Sequence, residues 1–490
     1  MSDVLQNILG RLPAKSFAAA ACVSRSWNKA SRQILSRPRL ATALSLNPDP
    51  YLGVMEVIDK VLSRPIRPHF AIAFVSTETC LHLVHSMVTI HLGSNVPLIT
   101  NATAGVIGKD GITNRFKEVK WDVIYGEDEV LADDLNRGIG LVVGFLPGVK
   151  TSIFPLLHTK SDPHMAMVDK FVSDIRGYTI SVSGDEIPVG VMMFGDHHSD
   201  FGPIIAEIDE KMPIETIVIG DVSSCVKCTN NAIQDFDQDA YYVDAVGLVF
   251  AKDNQYNHEG EIKFHVGISS GIMPCGPRLE VVDVVENEAG FSWLIAKSMD
   301  DAGLLDASQI IQTLGRTIED ESYALYIGVT QEKMPHEGEN PPKYLAFHDL
   351  LGTEQEMFVV AGTGIKPGDT FLLYHSDSDT ARSSCVNVFN EFNRIANPIS
   401  MSMNPNLEVF GGMIFACSNR GENFFGEPKV DSMPLRENFP RAPLCGTFCL
   451  APFARRAVLG KENVERCSVP VFSAVYLAMT FVPSSPPPPQ

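Results

Sequence analysis

The sequence predicts an α+β chain, a mixed α/β body built on buried β-sheets and preceded by a small all-α module. Three observations carry this. The first forty-five residues hold three apolar-striped segments punctuated by Pro and Ser. The remainder alternates helical stripes with unbroken apolar runs such as FAIAFV, the pattern of strands covered on both faces. Hydrophobic residues make up 45% and charged residues 20% of the 490, enough apolar material for a large core and too much for general disorder.

The opening elements follow in order. Asp3 caps a helix whose Leu5, Ile8, Leu9 and Leu12 recur at spacings of three and four, and Pro13 ends it. Pro13 also suits the first turn of a second helix, Ala14 to about Cys22, where its missing N–H has no partner to lose. Ser24 caps a third helix carrying Trp27, Ile34 and Leu35, which stops before Pro38. Three short helices cannot bury their apolar faces alone, so this module needs a partner surface.

Residues 46–68 read as a linker and connecting helix, with Val54, Val57, Ile58, Val61 and Leu62 on one stripe. Strand 70–75, a helix over 79–92 and a strand around 96–100 then give a βαβ-like opening. Further strands are expected at 139–146, 187–194, 214–219, 245–251, 264–268 and 370–374, the last after a Lys366-Pro367-Gly368-Asp369 turn. Helices are expected at 302–314 and 380–396. The Pro-rich tail 483–490 reads as an extended end.

Charge is unevenly spread. The chain carries 39 Lys and Arg against 59 Asp and Glu, a net −20 that disfavours nucleic acid or an anionic membrane as partner. Residues 1–45 are nevertheless net +6, leaving −26 for the rest, so the head alone suits an acidic partner. No apolar run reaches the ~18 residues of a spanning helix, and the longest, Val471 to Val482, stops at Pro483. Ten scattered Cys read as reduced thiols, which points to an intracellular chain, cytoplasmic or nuclear. Asp3, Arg11, Pro13 and Lys15 interrupt the approach to the FAAAACV segment and disqualify it as a signal core.

Leu5, Ile8, Leu9, Leu12-Pro13, Phe17 and the CVSRSW run with Val23 and Trp27 resemble an F-box, the helical module of cullin-type ubiquitin ligases. The resemblance implies that these eight residues bind a Skp-family linker protein and, through it, a cullin. The Leu-Pro-acidic stretch that usually opens the motif is absent. Two readings compete with it: a helical cap packed on its own chain, which has the same spacing, and a DNA-binding helix-turn-helix. The second fails because Ala18 to Ala21 offers nothing to read base edges.

A second resemblance covers most of residues 69–482. NATAGVIG (101–108) and Leu146-Pro147-Gly148 resemble the N-terminal half of a FIST domain. SSGIMPCGP (269–277), IGVT from Ile327, IKPGD from Ile365, ACSNRG (416–421) and FPRAPLCGTFC (439–449) resemble its C-terminal half. This implies domains at 1–45, 69–268 and 269–482. It also implies a substrate-recognition subunit of a Skp-cullin-F-box ligase that holds a target protein for ubiquitination and proteasomal degradation. The alternative is a small-ligand, amino-acid-like sensor. Where the family commonly runs to an acidic, Gly-containing turn, this chain has Ala451-Pro452-Phe453-Ala454.

Sites of chemistry are sparse. His197-His198 between Asp196 and Asp200 has no third metal ligand nearby, and Cys225-x-x-Cys228 has no second close pair. Gly362-Thr363-Gly364 lacks the last glycine of a dinucleotide fingerprint and precedes a strand. No catalytic residue, metal or cofactor is expected. Gly105, Arg420 and Gly421 are the candidate ligand pocket, since glycine permits close approach and Arg grips a carboxylate or phosphate bidentately. The competing reading gives Arg420 an internal salt bridge.

Overall fold

The computed structural model describes all residues except 1, 77–78, 122–136, 159–163, 197–200, 224, 230–241, 257–259, 288–289, 300–305, 319–322, 333–342, 398–406, 456–470 and 485–490. Three helices open the chain: α1 (Ser2–Leu9), α2 (Ala14–Ala21) and α3 (Arg25–Ile34). Then follows one supersecondary pattern, run three times. The first copy is β1 (Arg39–Ser45), α4 (Pro50–Val61), β2 (Phe70–Ser76), α5 (Leu81–Leu92), β3 (Leu98–Thr103), β4 (Gly105–Lys109), the added β5 (Phe116–Lys120) and β6 (Ile139–Phe145). The second is β7 (Val149–His158), α6 (His164–Ser183), β8 (Gly190–Asp196), α7 (Gly202–Lys211), β9 (Val218–Ser223), β10 (Cys225–Thr229) and β11 (Tyr242–Lys252).

The third copy opens with β12 (Gly260–Ser270) and is then interrupted by β13 (Ile272–Glu286), β14 (Phe291–Ser298), α8 (Ala307–Thr317), β15 (Leu325–Glu332), β16 (Lys343–Glu354), β17 (Met357–Ala361) and β18 (Thr370–Ser376). It resumes with α9 (Ser378–Ala396), β19 (Glu408–Cys417), α10 (Glu422–Phe425), α11 (Met433–Asn438), β20 (Leu444–Cys449), β21 (Ala451–Arg455) and β22 (Ser473–Pro483).

Each copy builds a sheet in the same order and sends one strand to another copy's sheet. The sheets run β1-β6-β2-β3-β10, β7-β11-β8-β9-β21 and β12-β22-β19-β20-β4-β5. Thus β10 of the second copy completes the first sheet, β21 of the third completes the second, and β4 of the first completes the third. One residue separates donor from preceding strand each time: 104, 224 and 450. The central pair in each sheet is parallel with a helical crossover, and its registers match, Phe74↔Asn101, Phe194↔Asp221 and Phe415↔Thr447. Phe74, Phe194 and Phe415 meet at centroid distances of 6.5, 6.4 and 6.1 Å, a near-equilateral triangle in the shared core. The equivalent polar residues are also buried, and the Asn101 amide donates to Asp221 at 3.0 Å.

The chain divides into two compact units. One comprises 1–268, 385–467 and 474–490, the three helices with the three sheets; the other comprises 269–384 and 468–473. The second unit is a closed barrel in the order β13-β14-β17-β16-β15-β18, filled by Leu279, Val281, Leu294, Phe358, Val360, Phe371 and Leu373 together with α8.

Several expectations are corrected. Residues 39–45, assigned to the head, form β1 and pair antiparallel with β6. The helix expected within 46–68 is present as α4 with its expected stripe, but Val54, Val57, Ile58 and Val61 lie in the core under the first sheet, so the segment is part of that layer and not a linker. The expected half 269–482 is split, because β19, β20 and β22 complete the third sheet while 269–384 closes a barrel of its own. The strand expected at 214–219 begins at Val218, after a turn closed by Thr216 N–H to Pro213 carbonyl. The strand expected at 187–194 begins at Gly190, past exposed Ile187 and past Pro188, which has no N–H for a ladder. Asp306 caps α8, so the helix expected from Ala302 starts at Ala307.

Candidate functional site: the N-terminal helical module

The head has a minimal core. Leu9, Phe17, Ala20 and Ala30 are buried, and Leu5, Leu12, Trp27, Ile34 and Leu35 pack partly against them. Local rules fix the three helices. The Phe17 N–H donates to the Pro13 carbonyl at 2.8 Å, starting α2 directly after the proline. The Ser24 hydroxyl accepts from the Trp27 N–H at 3.2 Å, capping α3. Gln6 donates to Gln33 at 2.6 Å and Asn28 to the Ala21 carbonyl at 3.2 Å, tying the helices together. The Ala14 N–H donates to the Leu62 carbonyl at 2.9 Å, which anchors α2 to the end of α4.

The eight residues expected to bind a partner fall into three groups. Leu9 and Phe17 face inward, Leu5, Leu12 and Trp27 are half-buried, and Pro13, Ile8 and Val23 are exposed, the last two by 55% and 66%. Val4, 63% exposed, was not singled out from the sequence. It lies four residues before Ile8 on the outer face of α1, whereas Leu5 and Leu9 make the inner one, so a stripe on each face was the available signal. Arg11, Lys15, Arg25, Lys29 and Arg32 are all exposed around these apolar groups. The result is an outward apolar surface with a basic surround, on a module too small to stand alone.

The other candidate residues sit elsewhere in the same unit. Arg420 is fully buried and donates to Asp431 Oδ1 from Nε at 2.9 Å and from Nη2 at 2.7 Å. Nη2 also reaches the Cys385 thiol at 3.4 Å, and the guanidinium lies 5.3 Å from the Phe425 ring centre. Burial alone would lower its pKa, but Asp431 outweighs that and raises it. Glu118 beside this pair is pushed up by burial and by Asp431.

Gly105 and Gly421 do come together, around Lys120 and Phe448. A Cβ at Gly105 would meet the Val119 carbonyl at 2.4 Å, and one at Gly421, which sits at φ +98, would meet the Lys120 side chain at 3.0 Å. Both glycines therefore serve close approach of the chain to itself. A cavity of about 510 Å³ lies apart from them, lined by Arg67, His69, Asn95, Lys150 and Tyr178 among others. There burial and Arg67 hold the His69 pKa down to about 4, while burial and Asp253 push Tyr178 up to about 12.

His197 and His198 lie outside the described residues. Cys225 and Cys228 belong to β10, and burial raises both thiols, Cys228 to about 12, which leaves them poor thiolate donors. Gly362 and Gly364 sit between β17 and β18, at φ +143 and +84. A Cβ at Gly362 would meet the His348 ring at 2.1 Å.

This helical arrangement is that of an F-box, and the F-box domain model matches residues 2–37. Modules of this class bind Skp-family linkers within Skp-cullin-F-box complexes. An F-box/LRR-repeat protein of Arabidopsis thaliana is 35% identical over 501 residues, covering 98% of this chain and 92% of the relative. The chain belongs to this family of F-box proteins. Leucine-rich repeats appear in the relative's name; the described residues here form three sheets and a barrel instead of a stack of short strand-helix repeats. F-box proteins are, as a class, non-catalytic adaptors. Among the described helices, none is long and apolar enough to cross a membrane.

Proposed function

We propose that the chain is the substrate-recognition subunit of a Skp-cullin-F-box ubiquitin ligase, with the F-box on the linker and a FIST-type body on the target protein. The observation that carries the reading is the set Val4, Ile8 and Val23, exposed on a module whose own core is Leu9, Phe17, Ala20 and Ala30. Such an adaptor needs no nucleophile of its own. It raises the local concentration of a target lysine near a charged ubiquitin-conjugating enzyme, and the target is then marked for proteasomal degradation.

The test uses the full chain. Ile8→Asp combined with Val23→Asp places two charges on exposed positions, so the fold survives and co-purification with a Skp-family linker is lost. Undiminished linker binding by a folded double variant would overturn the reading. A second reading, a body that senses a small anionic metabolite, rests on the cavity at Arg67, His69, Lys150 and Tyr178. It predicts a ligand-induced thermal shift that Arg67→Ala abolishes, and a null response across carboxylates and phosphates would remove it.

A further inference from the structure

The barrel unit differs from the rest of the chain in charge and in what it leaves uncovered. Its 122 residues hold seven Lys and Arg against nineteen Asp and Glu, a net −12 out of the chain's −20. On β14, Ser292, Leu294 and Ala296 are buried, so strand alternation turns Trp293 outward. Trp293 pairs across the strands with Val285 on one side and with Val359 on the other. Val359 in turn pairs with Gly352, beside a bulge that pushes out Leu351. A second bulge, between Val281 and Asp283, pushes out Val282.

Val285, Trp293, Val359 and Leu351 form one apolar row across the outer wall of the barrel, with Val282 further along β13 beyond Asp283. Val285 is 58%, Leu351 56% and Val282 40% exposed. Acids surround it: Asp283, Glu286, Glu354 and Glu356 are all exposed, and among the described residues none of them has an ion-pair partner. Trp293 is held upright by donating Nε1–H to Glu354 at 2.8 Å. A tryptophan fixed among aliphatic residues is the usual anchor of a protein interface, and the acid ring selects against acidic partners and steers basic ones.

We propose that this outer face is the docking surface for a target-protein segment that alternates Lys or Arg with apolar side chains. The inference rests on the adaptor reading for its biological sense and names the partner chemistry of the body. Because the barrel is closed it offers no free edge, so recognition runs through side chains and not by strand addition.

The test takes the full chain in complex with a Skp-family linker, and a fluorescent peptide alternating lysine with leucine as the probe. Anisotropy reads binding, with the Glu-for-Lys peptide as control. The expected result is binding of the lysine peptide alone, weakened roughly tenfold by Val285→Ser with Leu351→Ser and again by Asp283→Lys with Glu286→Lys. All four positions are exposed, so the variants keep the fold, which linker retention and the melting curve verify. Equal binding of both peptides, unchanged binding by the serine variant, or a self-association that the serine variant abolishes would each overturn the proposal. If the unsubstituted chain binds the peptide but not the linker, the adaptor reading fails while the docking face stands.

Discussion

The three-sheet unit and the barrel unit solve the burial problem in opposite ways. In the first, the central strands are covered on both faces: every residue of Phe70–Ser76 and of Ile139–Phe145 is buried. In the barrel, β14 and β17 alternate buried and half-buried positions, because one face fills the interior and the other meets solvent. Two-faced burial writes an unbroken apolar run into the sequence, and one-faced burial writes a weak period of two. The first pattern is readable against background; the second, diluted by Glu, Pro and two bulges in β13, is not.

The comparison can be broken most severely in the three-sheet unit. Gly220 has no room for a side chain, since a Cβ there would fall 1.6 Å from the Met193 carbonyl, and Gly446 holds the equivalent place with Ile414 at 2.2 Å. Gly220→Val is expected to abolish soluble folding, read as loss of the cooperative transition. Arg420→Leu leaves Asp431 buried without its guanidinium and should cost about 3–5 kcal/mol in chemical denaturation. Phe415→Ala removes one corner of the aromatic triangle, and a loss of about 3–5 kcal/mol should appear as faster hydrogen exchange in all three sheets, with barrel peptides spared. Equal acceleration in the barrel would erase the distinction.

A pH dependence sharpens it further. Burial followed by the positive charge of Arg67 lowers His69 to about 4, and burial followed by Lys227 and His82 lowers His85 to about 4. Both are neutral when folded and protonate near 6.5 when unfolded, so the unfolded chain takes up the proton first as pH falls. The stability they contribute is complete above pH 6.5 and is lost between 6.5 and about 4, roughly 2 kcal/mol each by pH 5. Denaturation at pH 7 and pH 5 should show it, and His85→Gln should flatten the slope. The smallest effect is expected on the outer wall of the barrel, where Val285→Ser changes stability by under about 0.5 kcal/mol.

Much of the head was legible, because helix caps and prolines are local signals: Pro13, Ser24 and the Leu5, Leu9 and Leu12 stripe place the three helices without reference to the rest of the chain. Which apolar residues face outward was less so. Leu9 and Phe17 satisfy the same spacing as Ile8 and Val23, and only the packing of α1, α2 and α3 separates core from surface. For Arg420, sequence offered a ligand grip and, ahead of it, an internal salt bridge without naming the partner; Asp431 lies eleven residues on, and the turn through α10 brings the two together.

By itself the sequence determined the local vocabulary: the capped helices, the buried runs and a basic head on an acidic body. It also determined that the chain carries an F-box, since that motif is a short stretch of contiguous spacing. The tertiary structure decided what depends on residues far apart in the chain. It alone set the exchange of β4, β10 and β21 among three sheets, the Phe74–Phe194–Phe415 contact, the closure of 269–384 into a barrel and the apolar row across its wall. Strand pairing at long range is fixed by how whole faces fit once neighbouring elements are in place, and a window of a dozen residues holds no record of that fit.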